Sequence, residues 1–261
     1  MLQERPNTPV SKISVMPLEE GIVELRLSDA QNENRLSEPL CREFIAALRA
    51  LRQDSTLKVL IVTGSPKVFC PGATQEILKE LSTPPFRVQK QRSRSVSRLP
   101  VELVDFPLPV ISALQGLAVG GGLMVALWCD MAVASESARY GLNFLDLGIP
   151  PDLGATTLLP ALVGHHFASE MLFTAKFYKG RELKGRGLFV DVVPAAKVMK
   201  VALDIARRIA EKPRHVLQML KESQSLRRSQ ALQAALKRED LMQEICFGRP
   251  ETKALIETSY F

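Results

Sequence analysis

Three short apolar runs, KVLIVTG (58–64), PVISALQG (109–116) and DMAVASE (130–136), constrain this chain more than any other feature. Each is a continuous stretch of β-branched or small apolar residues, the pattern of a strand buried on both faces inside a helix-flanked sheet. The intervals between them leave room for a crossover helix, so the order strand, helix, strand predicts an α/β fold with largely parallel pairing. Ahead of them, SKISVMP (11–17) and GIVELRLS (21–28) alternate apolar and polar residues around a Glu-Glu-Gly turn, which predicts a hairpin with one buried face. From Glu38 to Gln53, Leu40, Phe44, Leu48 and Leu51 recur at helical spacing, with Ser37 placed to cap the N-terminus.

After FVDVVP (189–194) the pattern changes. Segments 195–211, 213–228 and 230–247 have helical period, with Val198, Val201, Ile205 and Ile209 on one stripe and breaks at Pro213, Gly248 and Pro250. The chain therefore divides into a core of residues 1–195 and a helical region of residues 196–261. Such an appendage either covers its own core or packs on a neighbouring subunit.

Composition narrows the class of function. A chain of 261 residues with 46% hydrophobic content can bury one sizeable core. No N-terminal stretch joins a basic start to an apolar run, and no apolar run approaches membrane-spanning length, so a cytoplasmic protein with no membrane partner is expected. Cys41, Cys70, Cys129 and Cys246 are scattered without a CxxC pair, which argues against a zinc site or a disulfide framework. The formal net charge of +6 favours acidic or phosphorylated partners. It is concentrated in residues 81–101, which hold Arg87, Lys90, Arg92, Arg94 and Arg98 and no acid. Aromatic residues do not interleave with those cations, which argues against nucleic acid as the partner.

Two stretches remain that carry little side-chain chemistry. LQGLAVGGGLMVALWCD (114–130) sets Gly120, Gly121 and Gly122 between a strand-like and a helix-like run. VTGSPKVFCPGATQEIL (62–78) runs strand, loop, Pro-Gly-Ala and then a helix from near Thr74. A glycine-rich turn at a helix start presents main-chain N–H groups at the positive end of the helix dipole and lets a ligand approach closely. Two such junctions after two central strands could aim two amides at one oxygen.

FCPGATQEIL and VISALQGLAVGGGLMVALWCDMAVAS, with the following YGLNFLDLGIPPDLGATTLLPALVG, resemble the two signatures of the crotonase (enoyl-CoA hydratase/isomerase) superfamily, and the resemblance runs over residues 10–260. It implies a spiral of ββα turns, assembled as homotrimers or hexamers, that binds acyl thioesters of coenzyme A or of an acyl carrier protein and needs no other cofactor. The helical region would then serve trimerisation or cover the active site. By position, the resemblance puts the oxyanion hole at the N–H groups of Ala73 and Gly121, beside Gly72 and Gly120, with Met124, Asn143 and Phe144 against the substrate. Each such donor is worth about 3 kcal/mol to a developing oxyanion.

Hydratases of the superfamily carry glutamates where this chain has Met124 and Phe144. Neither residue can serve as the acid or base that hydration requires. An oxyanion hole in an otherwise apolar pocket suits loss of CO2 from a carboxylate conjugated to the thioester, because desolvation disfavours the carboxylate while the amides hold the enolate. GATQEIL, the frame of Tyr140, Asn143, Phe144, Gly148, Pro151, Gly154, Ala155 and Thr156, FYKGREL and AEKPR resemble the decarboxylating crotonases of polyketide β-branching cassettes. Those enzymes convert a 3-methylglutaconyl thioester to 3-methylcrotonyl. The lysine that they use to hold the carboxylate aligns near Arg87, with Lys90 one turn later, and their C-terminal histidine aligns with Gly248. Arg87 can clamp a carboxylate but is a poor proton donor. His165, His166 and His215 read as surface or capping residues, Tyr140 as core, and Tyr260 and Asp146 as remaining acid candidates. An enoyl-CoA isomerase or hydratase, or a catalytically silent fold used for binding, are the alternatives.

Overall fold

The computed structural model describes residues 11–260. The chain opens with an antiparallel hairpin, β1 (Ile13–Glu19) and β2 (Ile22–Leu27), followed by helix α1 (Glu38–Leu51). Ser37 caps α1 by accepting from the Leu40 amide at 3.3 Å. Next come β3 (Val59–Thr63), β4 (Val68–Cys70) and the helices α2 (Gln75–Leu81), α3 (Phe86–Arg92) and α4 (Arg94–Val104). The unit then repeats as β5 (Val110–Leu114), β6 (Leu117–Val119) and α5 (Gly121–Leu127), and again as β7 (Met131–Ser135), β8 (Arg139–Gly141) and α6 (Ala155–Val163). Helix α7 (His165–Thr174), strand β9 (Tyr178–Lys179), helix α8 (Gly180–Leu183) and strand β10 (Asp191–Val193) complete the spiral.

Each turn of the spiral gives its first strand to one sheet and its second to another. The larger sheet has the order β1-β2-β3-β5-β7-β10 and the smaller has the order β4-β6-β8-β9. From β2 to β10 the larger sheet is parallel throughout, as the crossover pattern predicts. Its central strands are buried on both faces. In β3, Leu60 and Val62 join the main core while Val59 and Ile61 pack with Val198, Ala202 and Ala206 of helix α9 (Val198–Ala210).

The helical region is built differently from its reading in sequence. Segments 213–228 and 230–247 form a single helix, α10 (Arg214–Phe247), followed by α11 (Pro250–Thr258). No glycine or proline interrupts residues 214–247, so nothing forces a break. The buried stripe of α10 includes Lys221, Ser225, Glu239 and Gln243, and these polar residues hide the apolar period. Lys221 donates to both oxygens of Asp130 at 2.7 Å, and burial, only partly offset by Asp130, holds its ammonium pKa below the usual value. Glu239 accepts from the amides of Gly154 and Thr156 and from the Thr156 hydroxyl, tying α10 to the start of α6. Among the described residues no helix is long and apolar enough to cross a membrane.

Candidate active site

Strands β4, β6 and β8 lie parallel and side by side, so the loops at their C-terminal ends open together. Those loops form the floor of one cleft, which Gly72, Ala73, Gly120, Gly121, Asn143 and Phe144 line. The backbone around Ala73 is fixed by two bonds: Leu36 N donates to Gly72 O at 2.8 Å, and Thr74 N donates to Leu36 O at 3.1 Å. A trans peptide points its N–H opposite its C=O, so the Ala73 N–H turns away from Leu36 and toward the cleft. At the second junction Gly120 O accepts from Met124 N at 3.1 Å as the first bond of α5, which leaves the Gly121 N–H facing out of the helix start. Neither amide has a hydrogen-bond partner among the described residues.

The glycine triplet brings the two loops into contact. Gly120 has φ +52° and ψ −125°, a conformation that side chains oppose, and a Cβ there would sit 3.0 Å from Asn143 Oδ1. A Cβ on Gly122 would sit 2.1 Å from Cys70 O, so that position cannot hold a larger residue without moving β4. The loops approach so closely that a Cβ on Gly72 would lie 4.0 Å from Gly121 N. Two unpartnered amides thus stand at adjacent turns, flanked by the apolar side chains of Leu36 and Leu153.

The roof comes from α3, α10 and the residues after α11, and it is more polar than the sequence led us to expect. Lys90 on α3 reaches into the cleft, where Nζ donates to Gln243 Oε1 at 3.0 Å and meets Asp240 Oδ1 at 3.2 Å and Asp152 Oδ2 at 3.3 Å. Burial pulls its pKa down, but the two aspartates outweigh burial and hold it above the ordinary lysine value. Asp152, the one carboxylate among the described lining residues, is also held by Leu153 N at 2.7 Å. Phe247 lines the cleft beside Gln243 and stacks on Phe86 at 5.7 Å between ring centroids. Arg35 and Tyr260 complete the lining.

Several sequence-derived placements need correction. Arg87 lies outside the cleft: its side chain is 77% exposed and its Nε donates to Glu244 at 3.1 Å. Three residues separate it from Lys90 on one short helix, and the face that turns inward is the one carrying Lys90. Met124 is fully buried one turn into α5, where all side chains face the core, and it is not among the lining residues. Gly248 caps the end of α10 outside the cleft, whereas Gln243, one helical turn and a residue earlier, lines the cleft and, with Asp240, reaches Lys90. Tyr140 is core, as its sequence context implied, its hydroxyl donating to Leu114 O and accepting from Ser135 N. Asp146, His165, His166 and His215 are exposed and line no part of the cleft. Lys90, Asn143, Phe144, Gly72, Gly120, Ala73 and Gly121 all line it. Asp152, Gln243 and Arg35 were not singled out from the sequence; each sits in a segment whose local pattern explains it without a ligand.

Comparison with known proteins agrees with this architecture. The family model described as enoyl-CoA hydratase/isomerase matches residues 18–258. The bacillaene synthase decarboxylase of Bacillus subtilis (strain 168) is 32% identical over 251 residues, covering 96% of this chain and 98% of that one. A solved chain from a dehydratase/decarboxylase enzyme couple involved in polyketide beta-branching is 31% identical, with a TM-score of 0.90 over 96% of this chain and 99% of its own. The mitochondrial methylglutaconyl-CoA hydratase of Homo sapiens is 34% identical over 204 residues, which is 75% of this chain and 59% of the hydratase.

Proposed function

This chain belongs to the enoyl-CoA hydratase/isomerase family, and from that membership we propose that it decarboxylates a 3-methylglutaconyl-type acyl thioester to the 3-methylcrotonyl thioester in polyketide β-branching. The observation that carries the reading is a pair of unpartnered amides at Ala73 and Gly121 in a cleft lined by Phe144, with Met124 buried outside it, the two positions at which the hydratases resembled carry glutamates. The similarity to the Bacillus subtilis decarboxylase over nearly the full length of both chains supports it.

The reaction follows from the placement of charge. The two amides donate to the thioester oxygen, and the distal carboxylate competes with Asp152 and Gln243 for the Lys90 ammonium. As the bond to the carboxyl carbon breaks, its electron pair spreads through the conjugated chain onto the thioester oxygen, where two donors in a water-poor site stabilise it. CO2 carries no charge and leaves the ammonium beside the γ-carbon it came from. A proton from Lys90 to that carbon keeps the double bond conjugated with the thioester, which gives 3-methylcrotonyl. Arg87 takes no part in this scheme. Hydration would instead require a free base, and Asp152 is engaged by Lys90 and Leu153 N.

The thioester is carried on phosphopantetheine, of a carrier protein or of coenzyme A. Exposed Arg92 and Arg94 share a groove with Arg42 next to Ser93, which lines the cleft, and a basic rim of this kind favours the acidic surface of a carrier protein. Exposed Leu226, Leu241 and Ile245 on α10 support assembly as a homotrimer or hexamer. The test is direct: purified protein is incubated with a carrier protein loaded with the 3-methylglutaconyl group, and the acyl mass is followed. Loss of one CO2 is expected. Gain of water would establish the hydratase reading in its place, an unchanged mass with a moved double bond the isomerase reading, and an unchanged acyl group would make the fold a binding module.

A further inference from the structure

Three ties fasten α11 and the residue pair after it across the cleft, and one lands on the first amide loop. Thr252 Oγ1 donates to Gly148 O at 2.9 Å on the wall that follows β8. On the opposite wall Gln75 Nε2 donates to Ile256 O at 3.1 Å. Beyond the helix, the Tyr260 hydroxyl donates to the Ala73 carbonyl at 2.7 Å and accepts from Arg35 Nη1 at 3.0 Å. The Arg35 guanidinium also lies over the Tyr260 ring, 5.0 Å from its centroid.

The third tie bears on the oxyanion donor. Ala73 carries its N–H and C=O on the edge opposite Leu36, because Leu36 bonds the flanking Gly72 carbonyl and Thr74 amide. Both free groups of Ala73 therefore face the cleft side, and a bare carbonyl there would present a negative dipole end near the place where an oxyanion forms. The Tyr260 hydroxyl covers that carbonyl with a donor and fixes the rotation of the Ala73–Thr74 peptide, the unit adjoining the Gly72–Ala73 peptide that carries the donor N–H. Arg35, by donating to the same oxygen, leaves the hydroxyl hydrogen free to point at Ala73.

We propose that Tyr260 is a positioning residue for the reaction: its hydroxyl, oriented by Arg35, covers the Ala73 carbonyl and holds the Ala73–Thr74 peptide, which keeps that negative dipole end off the oxyanion and, through the backbone angles of Ala73, keeps the adjoining N–H aimed at the thioester oxygen. The proposal rests on the oxyanion-hole reading given above. Its test uses Tyr260→Phe in the full chain, which keeps the ring and removes one oxygen. We expect kcat to fall about tenfold with KM within about twofold, the signature of an interaction that tightens in the transition state. An unreactive thioester analogue labelled with 13C at the carbonyl supplies a readout that stability does not move. Bound to the unaltered protein, its carbonyl stretch should shift down from the solution value; bound to Tyr260→Phe, it should return part of the way. Thr252→Val, which cuts a tie of α11 on the other wall, should leave the stretch where the unaltered protein puts it. A Tyr260→Phe protein with unchanged kcat and an unchanged stretch overturns the proposal. An unaltered protein that does not shift the carbonyl at all overturns the oxyanion-hole reading, and the role of Tyr260 with it.

Discussion

The floor and the roof of the cleft enclose the same space but are held by different forces. The floor is main chain: parallel ladders between β4, β6 and β8 set the loops, and the groups offered to a ligand are the amides of Ala73 and Gly121. The roof is side chain: Lys90, Gln243 and Tyr260 reach in from elements distant in sequence, Lys90 held by Gln243 and Asp152 and Tyr260 by Arg35 and the Ala73 carbonyl. A floor of this kind is damaged by adding volume, by bending the backbone, or by cutting the one roof tie that lands on it, from Tyr260 to the Ala73 carbonyl. A roof of this kind can be rewired one residue at a time, which gives one fold room for different reactions over a common oxyanion hole.

The comparison breaks hardest at Gly122. Gly122→Ala places a Cβ within 2.1 Å of Cys70 O, so either α5 or β4 must shift and the two amides separate. Loss of one oxyanion donor costs about a hundred- to a thousandfold in kcat. We expect a loss in that range, read from acyl mass under single-turnover conditions, together with a lower melting temperature. On the roof side, Lys90→Met should leave the oxyanion hole intact while removing the group that binds the carboxylate and returns the proton. Its expected cost is about a hundredfold in kcat, at the low end for a general acid. The carbonyl stretch of a bound thioester should stay as in the unaltered protein, which separates roof from floor.

The two regions also differ in how much of each was legible in the sequence. Glycine and small-residue patterns report directly on backbone, and a junction such as FCPGATQEIL or AVGGGL states where a strand ends and a helix begins. The pattern therefore allowed the two loops to converge on one oxygen, and the family resemblance placed that pair at Ala73 and Gly121. Side-chain contacts between distant elements leave no such mark. Whether Arg87 or Lys90 faces the cleft depends on the rotation of one short helix, and both residues are plausible cations for a carboxylate. Gln243 was hidden because α10 buries polar and apolar residues on one stripe, so its period reads weakly, and the resemblance pointed instead to Gly248, where the expected histidine is missing. Tyr260 bonds a residue 187 positions away, a contact that no local pattern encodes.

A smaller effect sharpens the electrostatic side of the comparison. Burial lowers the Lys90 pKa, while Asp152 and Asp240 raise it by more, so the folded value stands above the ordinary one. The ion cluster accordingly contributes its full stability below the ordinary lysine pKa and loses it as the pH rises through the raised value. Asp152→Asn removes one of the two compensating charges and leaves burial in place. The alkaline limb of the activity profile should move down by about one pH unit, with kcat near neutrality changed only a few-fold. An unmoved limb would mean that Lys90 is not the group whose proton the reaction needs.

The smallest expected effect falls on Arg87, and its smallness is informative. Arg87 and Glu244 form an ion pair on the outer side of α3, with the arginine 77% exposed. Exposed pairs of this kind contribute little, because water and salt screen both charges and the long side chains lose freedom when they meet. Arg87→Ala should therefore leave kcat and KM within about twofold of the unaltered protein, as read in the same carrier-protein assay. Lys90 lies three residues along the same helix, so any general loosening of α3 would affect both variants. A hundredfold loss at Lys90 beside none at Arg87 would assign the function to the cation that faces inward. A large loss at Arg87 would instead mean that α3 rotates when substrate binds, bringing its outer face into the cleft.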